Sequence, residues 1–99
     1  MPQLAMTDDF LAAMAKLPKA KQKKVREFTK KWHADPKSNA INYEKINNVR
    51  DSRVRTVRID QQYRAVVLHP DDGDVYVLVW VDNHDEAMAW ARNKEFGVN

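Results

Sequence analysis

The stretch "RVRTVRIDQQYRAVVLHPDDGDVYVLVWV", Arg53–Val81, decides the fold. It reads as three β-strands, Arg53–Ile59, Tyr63–His69 and Val75–Val81, joined at "DQQ" and "PDDGD". Asp72-Gly73 between two apolar runs is a strong hairpin signal. The last strand is apolar on both faces, which predicts an interior strand buried on both sides. Arg55, Arg58 and Arg64 interleave with Val57, Ile59, Ala65 and Val67. Those guanidiniums are a solvated sheet face, a phosphate cradle or part of a reaction, and the rest of the chain has to choose.

Upstream, Gln3–Thr7 is consistent with a short edge strand. Thr7 looks like an N-cap, with Asp8 and Asp9 in the first turn where carboxylates suit the helix dipole. Phe10, Met14 and Leu17 then mark an amphipathic helix over Asp8–Lys16. A second helix runs from about Pro18 to His33, with Val25, Phe28 and Trp32 as its apolar stripe. A break this short makes the two helices an antiparallel hairpin. "ADPKSNAINYEKI" is a loop whose far end Tyr43 and Ile46 pin to the core. "NHDEAMAWARNKEF" is a final helix capped by Asn83. The expected architecture is α+β: an N-terminal helical hairpin packed on a small twisted antiparallel sheet, with a C-terminal helix on the same face.

Ninety-nine residues make one domain, 1–99. There is no cysteine, hence no disulfide framework, which fits a cytoplasmic setting. The N-terminus lacks a signal-peptide pattern, and "VYVLVWV" is too short to span a bilayer, so no membrane partner is expected. The net charge of +3 hides a segregation. Residues 16–31 hold eight Lys/Arg against Glu27 alone, whereas residues 69–96 hold seven acids against Arg92 and Lys94. Such a chain presents one basic surface, and polyanions are the leading partner class.

Lys19, Lys23, Arg26 and Lys30 fall within about 60° of arc on the second helix, and Lys24 widens that face. A solvated helix face normally interleaves Glu with Lys, and here only Glu27 is available. The unrelieved repulsion favours a nucleic-acid-binding face. Arg64 follows Tyr63 inside an apolar strand, so its guanidinium has to reach solvent, a bound phosphate, or a carboxylate such as Asp82 or Asp85. Tyr43 or Tyr63 is placed to stack on a base. The three histidines have no metal spacing, no nucleotide-binding loop or serine triad is present, and neither a metal nor another cofactor is expected.

These features together resemble the RelE/ParE toxin superfamily over essentially the whole chain: a basic helical hairpin, a strand with alternating basics, "YR" opening a strand, a D-G turn, and an apolar strand leading into a closing helix. "YRAVVLHP", "GDVYVLVWVD", "HDEA" and "AWA" look most like the RelE-like domain at the N-terminus of some UvrD/Rep-type DNA helicases. The resemblance implies that ribonuclease members cleave mRNA in the ribosomal A site by general acid–base chemistry without a metal. It points to Arg58, Arg64 and His84 as catalytic candidates. Nucleic-acid contacts would come from Lys19, Lys23, Lys24, Arg26, Lys30, Arg55, Arg58 and Arg64. His84 and Met88 stand where the family carries a late arginine and tyrosine, which implies weak or no ribonuclease activity.

The resulting expectation is a nucleic-acid-binding accessory domain of a UvrD/Rep-type helicase, excised from a longer chain. The alternative is a free-standing type II toxin, either a ribosome-dependent mRNA endonuclease or a ParE-type gyrase inhibitor, neutralised by an acidic antitoxin. A third reading is a protein-interaction module whose basic groove accepts an acidic segment.

Overall fold

The computed structural model describes residues 3–94. The elements run β1 (Gln3–Met6), α1 (Asp8–Ala15), α2 (Lys19–Ala34), a 3-10 turn (Asn39–Ile41), β2 (Glu44–Lys45), β3 (Val54–Arg58), β4 (Tyr63–Leu68), β5 (Val75–Asn83) and α3 (His84–Asn93). This is α+β, three helices on a five-stranded sheet ordered β1-β5-β4-β3-β2. The meander β3-β4-β5 is antiparallel as expected, and β2 continues it antiparallel to β3. The edge strand β1 adds in parallel beside β5, with Gln3 opposite Val75 and Met6 opposite Leu78, so the sheet is mixed.

Local chemistry sets the boundaries. Thr7 Oγ1 accepts the Phe10 N–H at 3.1 Å and Asn83 Oδ1 accepts the Glu86 N–H at 3.0 Å, capping α1 and α3. Gly73 adopts φ +83, the left-handed conformation that the "DDGD" turn requires. The helix α3 ends at Asn93, short of the expected Phe96, which lies outside the described residues.

The helices do not share one face. Ala65 and Val67 pack with Phe10, Val25, Phe28 and Trp32 under α1 and α2, whereas Val66 packs with Ala87 and Ala91 of α3. Successive strand residues point to opposite faces, so the unbroken run "AVVL" on β4 needs cover on both sides. The helical hairpin supplies one layer and α3 the other. The strand β5 lies inside the sheet, but its burial is partial: Leu78, Val79 and Val81 are buried while Val75, beside the exposed turn, is 44% exposed. A bulge pairs Val66 with Trp80 and Val67 with Leu78, leaving Val79 as the extra residue.

Candidate functional site

On the α3 side of the sheet, next to the β3–β4 turn, a groove of about 380 Å³ is lined by Asn42, Glu44, Arg58, Asp60, Gln61, Arg64, His84 and Met88. The strand register assembles it. Arg58 is opposite Arg64, Arg64 is opposite Asp82, and Glu44 is opposite Thr56. Alternation along β3 puts Thr56 and Arg58 on the same face, so Glu44 and both arginines look the same way. The His84 backbone N–H donates to Gln62 O at 2.8 Å, which ties the start of α3 to the β3–β4 turn.

Arg64 forms the floor and is only 6% exposed. Its Nε and Nη2 donate to Thr56 Oγ1 at 3.2 and 3.0 Å, and Nη2 also donates to Asn42 O at 2.9 Å. Neutral oxygens thus orient the guanidinium without cancelling its charge. The expected pairing with Asp82 or Asp85 does not form. Asp82 Oδ1 instead accepts the Asn83 N–H at 2.8 Å, and Asp85 Oδ1 lies 3.2 Å from His84 Nδ1. Among the described residues, no ion pair involves Arg64. Burial lowers the Arg64 pKa, the Glu44 charge opposes that shift and the like charge of Arg58 adds to it. A guanidinium stays protonated regardless. The floor is therefore an oriented positive charge, held in a low-dielectric setting that strengthens its attraction for an anion.

The β3–β4 turn is a rigid rim. Asp60 Oδ1 accepts the N–H groups of Gln62 and Tyr63, both at 2.8 Å. Its other oxygen takes the Lys21 ammonium at 2.6 Å, which fastens the rim to α2. Lys21 Nζ also sits 5.2 Å from the centroid of the Tyr63 ring, over its face.

The groove gathers the three catalytic candidates, Arg58, Arg64 and His84, and it contains Met88 as well. It does not gather the rest of the expected nucleic-acid face. Lys19, Lys23, Lys24, Arg26 and Lys30 are on α2, in the layer across the sheet from the groove. Arg55 is opposite Val67 on β4 and also turns to the α1–α2 side, where its Nη1 donates to Ser52 O at 2.6 Å and Val54 O at 3.0 Å. Tyr43 packs in that layer too. Sequence reasoning missed Glu44, Asn42 and Asp60 as groove residues. Glu44 lay in what read as a loop, and only its pairing with Thr56 turns it toward Arg64. In place of a uniformly basic cradle, the site juxtaposes two carboxylates, Glu44 and the Lys21-bound Asp60, with an imidazole and two guanidiniums.

No family model matches the sequence, and no curated protein is significantly similar to it. Solved structures are similar in shape. The RelBE2 toxin–antitoxin complex of Mycobacterium tuberculosis contains a chain that superposes with a TM-score of 0.66 at 20% identity, covering 85% of this chain and 100% of that one. The RelE–RelB complex of Pyrococcus horikoshii OT3 gives 0.64 at 17% identity, covering 83% and 93%. A YoeB/ParE toxin of Agrobacterium tumefaciens gives 0.61 at 13% identity, covering 83% and 98%. The chain has the fold of the RelE- and ParE-type toxins.

Proposed function

We propose that this protein is a toxin of the RelE type that cleaves RNA in the Arg64 groove and is held in check by a protein antitoxin. The observation that carries the reading is the buried guanidinium of Arg64, oriented by neutral oxygens and sharing one groove with Glu44, Arg58 and His84. Those groups are the parts that phosphodiester transesterification needs. The Glu44 carboxylate takes the proton of a ribose 2′-hydroxyl, and the 2′-oxygen attacks the adjacent phosphorus. The bond from phosphorus to the 5′-oxygen breaks, and that oxygen leaves with a proton from the His84 imidazolium. Arg64 and Arg58 stabilise the charge that gathers on the phosphoryl oxygens. Asp85, 3.2 Å from His84 Nδ1, occupies that nitrogen and leaves Nε2 for the leaving group. The products are a 2′,3′-cyclic phosphate and a 5′-hydroxyl. RNA is the preferred substrate because it carries its own nucleophile next to the phosphate.

The expectation of weak or absent cleavage rested on Met88 and His84 alone. Glu44 changes that balance by supplying a base. The first two similar structures are toxin–antitoxin complexes, which supports an antitoxin-like partner for this chain. The matched toxin chains are covered over 93–100% of their length, so each consists of this unit and little else. That favours the toxin reading over attachment to a helicase, for which the comparisons offer no support.

Induced expression in a bacterial host tests the reading. The wild-type chain is expected to arrest growth, and Arg64→Gln to relieve the arrest at equal protein level. Unimpeded growth with well-folded wild-type protein would return the accessory-domain reading to the lead.

A further inference from the structure

On the other flank of α3 from the groove, a cavity of about 400 Å³ is lined by Trp80, Asp82, Glu86, Trp90, Asn93 and Lys94. It shares no lining residue with the groove. The helical period explains the separation: His84 and Met88 are one turn apart on one flank of α3, and Glu86, Trp90 and Asn93 follow the other. Two indoles supply the apolar part of the lining. The Trp80 and Trp90 rings stack with centroids 4.9 Å apart and planes 6° apart. Both side chains are only partly buried, so each keeps surface open to solvent.

The cavity already holds a cation. Lys94 Nζ lies over the Trp90 ring, 5.4 Å from its centroid, within the ~6 Å at which an aromatic face attracts positive charge. The rim is acidic. Asp82 and Glu86 both line the cavity, and neither has an ion-pair partner among the described residues. Asp82 Oδ1 accepts the Asn83 N–H at 2.8 Å, which holds that carboxylate in place. Trp80 and Asp82 also line an adjoining depression of about 280 Å³, which continues past Lys16, Leu17 and Pro18. A small free cation fills the first hollow alone, whereas a polypeptide spans both.

We infer that the Trp80–Trp90 cavity docks an arginine of a partner protein, with an apolar residue next to that arginine seated against Leu17 and Pro18. A guanidinium fits both halves of the lining: its flat face stacks on an indole, and its N–H groups donate to carboxylates. Lys94 covers the Trp90 ring in the free protein and is displaced when the arginine arrives. Tryptophan also stacks on nucleic-acid bases, but two carboxylates on the rim repel the phosphate that a nucleotide brings with it. The surface is separate from the Arg64 groove, and the inference stands whether or not the chain cleaves RNA.

The test is a titration of the nitrogen-15-labelled protein with the capped dipeptide acetyl-arginyl-leucine amide, observed at the indole N–H signals. Those of Trp80 and Trp90 are expected to move, while that of Trp32, buried under α2, stays in place. Replacing the arginine with citrulline keeps the shape and removes the charge, and should weaken binding at least about tenfold. Glu86→Gln should weaken it about two- to fivefold, the usual effect of one exposed charge. Lys94→Ala, which removes the competing cation, should strengthen it by about the same factor. Arg64→Gln, which disables the groove, should leave it unchanged. Unmoved Trp80 and Trp90 signals overturn the inference, as does an equal response to the citrulline peptide or loss of the response in Arg64→Gln. Weaker binding in Lys94→Ala, or a stronger response of the same signals to uridine 5′-monophosphate, would make the cavity a nucleotide site and overturn it as well.

Discussion

Arg64 spends two of its donors on a single oxygen, Thr56 Oγ1, at 3.2 and 3.0 Å. Thr56 is fully buried, so this hydroxyl is the main device that aims the guanidinium into the groove. Thr56→Val keeps the shape and removes the acceptor. It should cost about 1–3 kcal/mol in denaturant unfolding, the usual penalty for stranding a buried polar partner, and should also weaken growth arrest. Thr56→Ser keeps the oxygen and should retain the activity. A Thr56→Val protein with wild-type stability and activity would mean that Asn42 O alone positions Arg64.

The Lys21–Asp60 clamp predicts a pH dependence of stability. Burial pushes the Asp60 carboxyl up, but the Lys21 ammonium and the N–H groups of Gln62 and Tyr63 outweigh it and hold the group below its ordinary 3.8. A carboxyl lowered on folding contributes stability above its unfolded pKa, and that contribution is lost as pH falls through the folded value. Lys21→Met should therefore lower stability near neutrality by about 1–2 kcal/mol, as expected for a hydrogen bond to a charged group. It should also flatten the acid limb below pH ~4. Thermal melts from pH 7 to pH 2 check both. A mutant curve parallel to the wild type would remove the clamp from the account.

The lysine face of α2 has Glu27 as its acid, which reaches Lys24 at only 3.8 Å. Lys19, Lys23 and Lys30 lie away from the buried stripe of Val25, Phe28 and Trp32, so replacing all three with alanine should leave stability within about 0.5 kcal/mol. Binding of single-stranded RNA should weaken, and the slope of log K against log salt should become shallower by about 0.7 for each phosphate no longer neutralised. Fluorescence anisotropy over a salt series measures this. An unchanged slope would assign the face to solvation.

The strands β1, β3, β4 and β5, both caps and the Gly73 turn were legible in the sequence because each rests on a local pattern: alternation, a side-chain oxygen before a helix, a residue free to take positive φ. The placement of α3 was less legible, although the run Ala65–Leu68, apolar on both faces, already demanded a second layer of cover. Arg64 was recognisable as an anomaly inside an apolar strand, and its groove was not. Glu44 sits in a two-residue strand with no periodicity of its own, and only long-range pairing with Thr56 brings it to the arginines. The opposite error came from charge. Lys23, Arg55 and Arg58 look alike in the chain, yet the sheet separates Arg58 from the other two, and net charge says nothing about which face of a sheet a residue takes.

The central claim is that Glu44, Arg64 and His84 act together on one phosphodiester. Incubating the purified chain with RNA, alone and on translating ribosomes, and identifying the new 3′ ends tests it most directly. The account predicts 2′,3′-cyclic phosphate ends with the wild type. Glu44→Gln and His84→Gln should each lower the cleavage rate by about 10²–10⁴-fold, the usual contribution of a general base or acid, and Arg64→Gln by at least about 10². Absence of cleavage in either setting, or cleavage that Glu44→Gln and Arg64→Gln leave untouched, would contradict it.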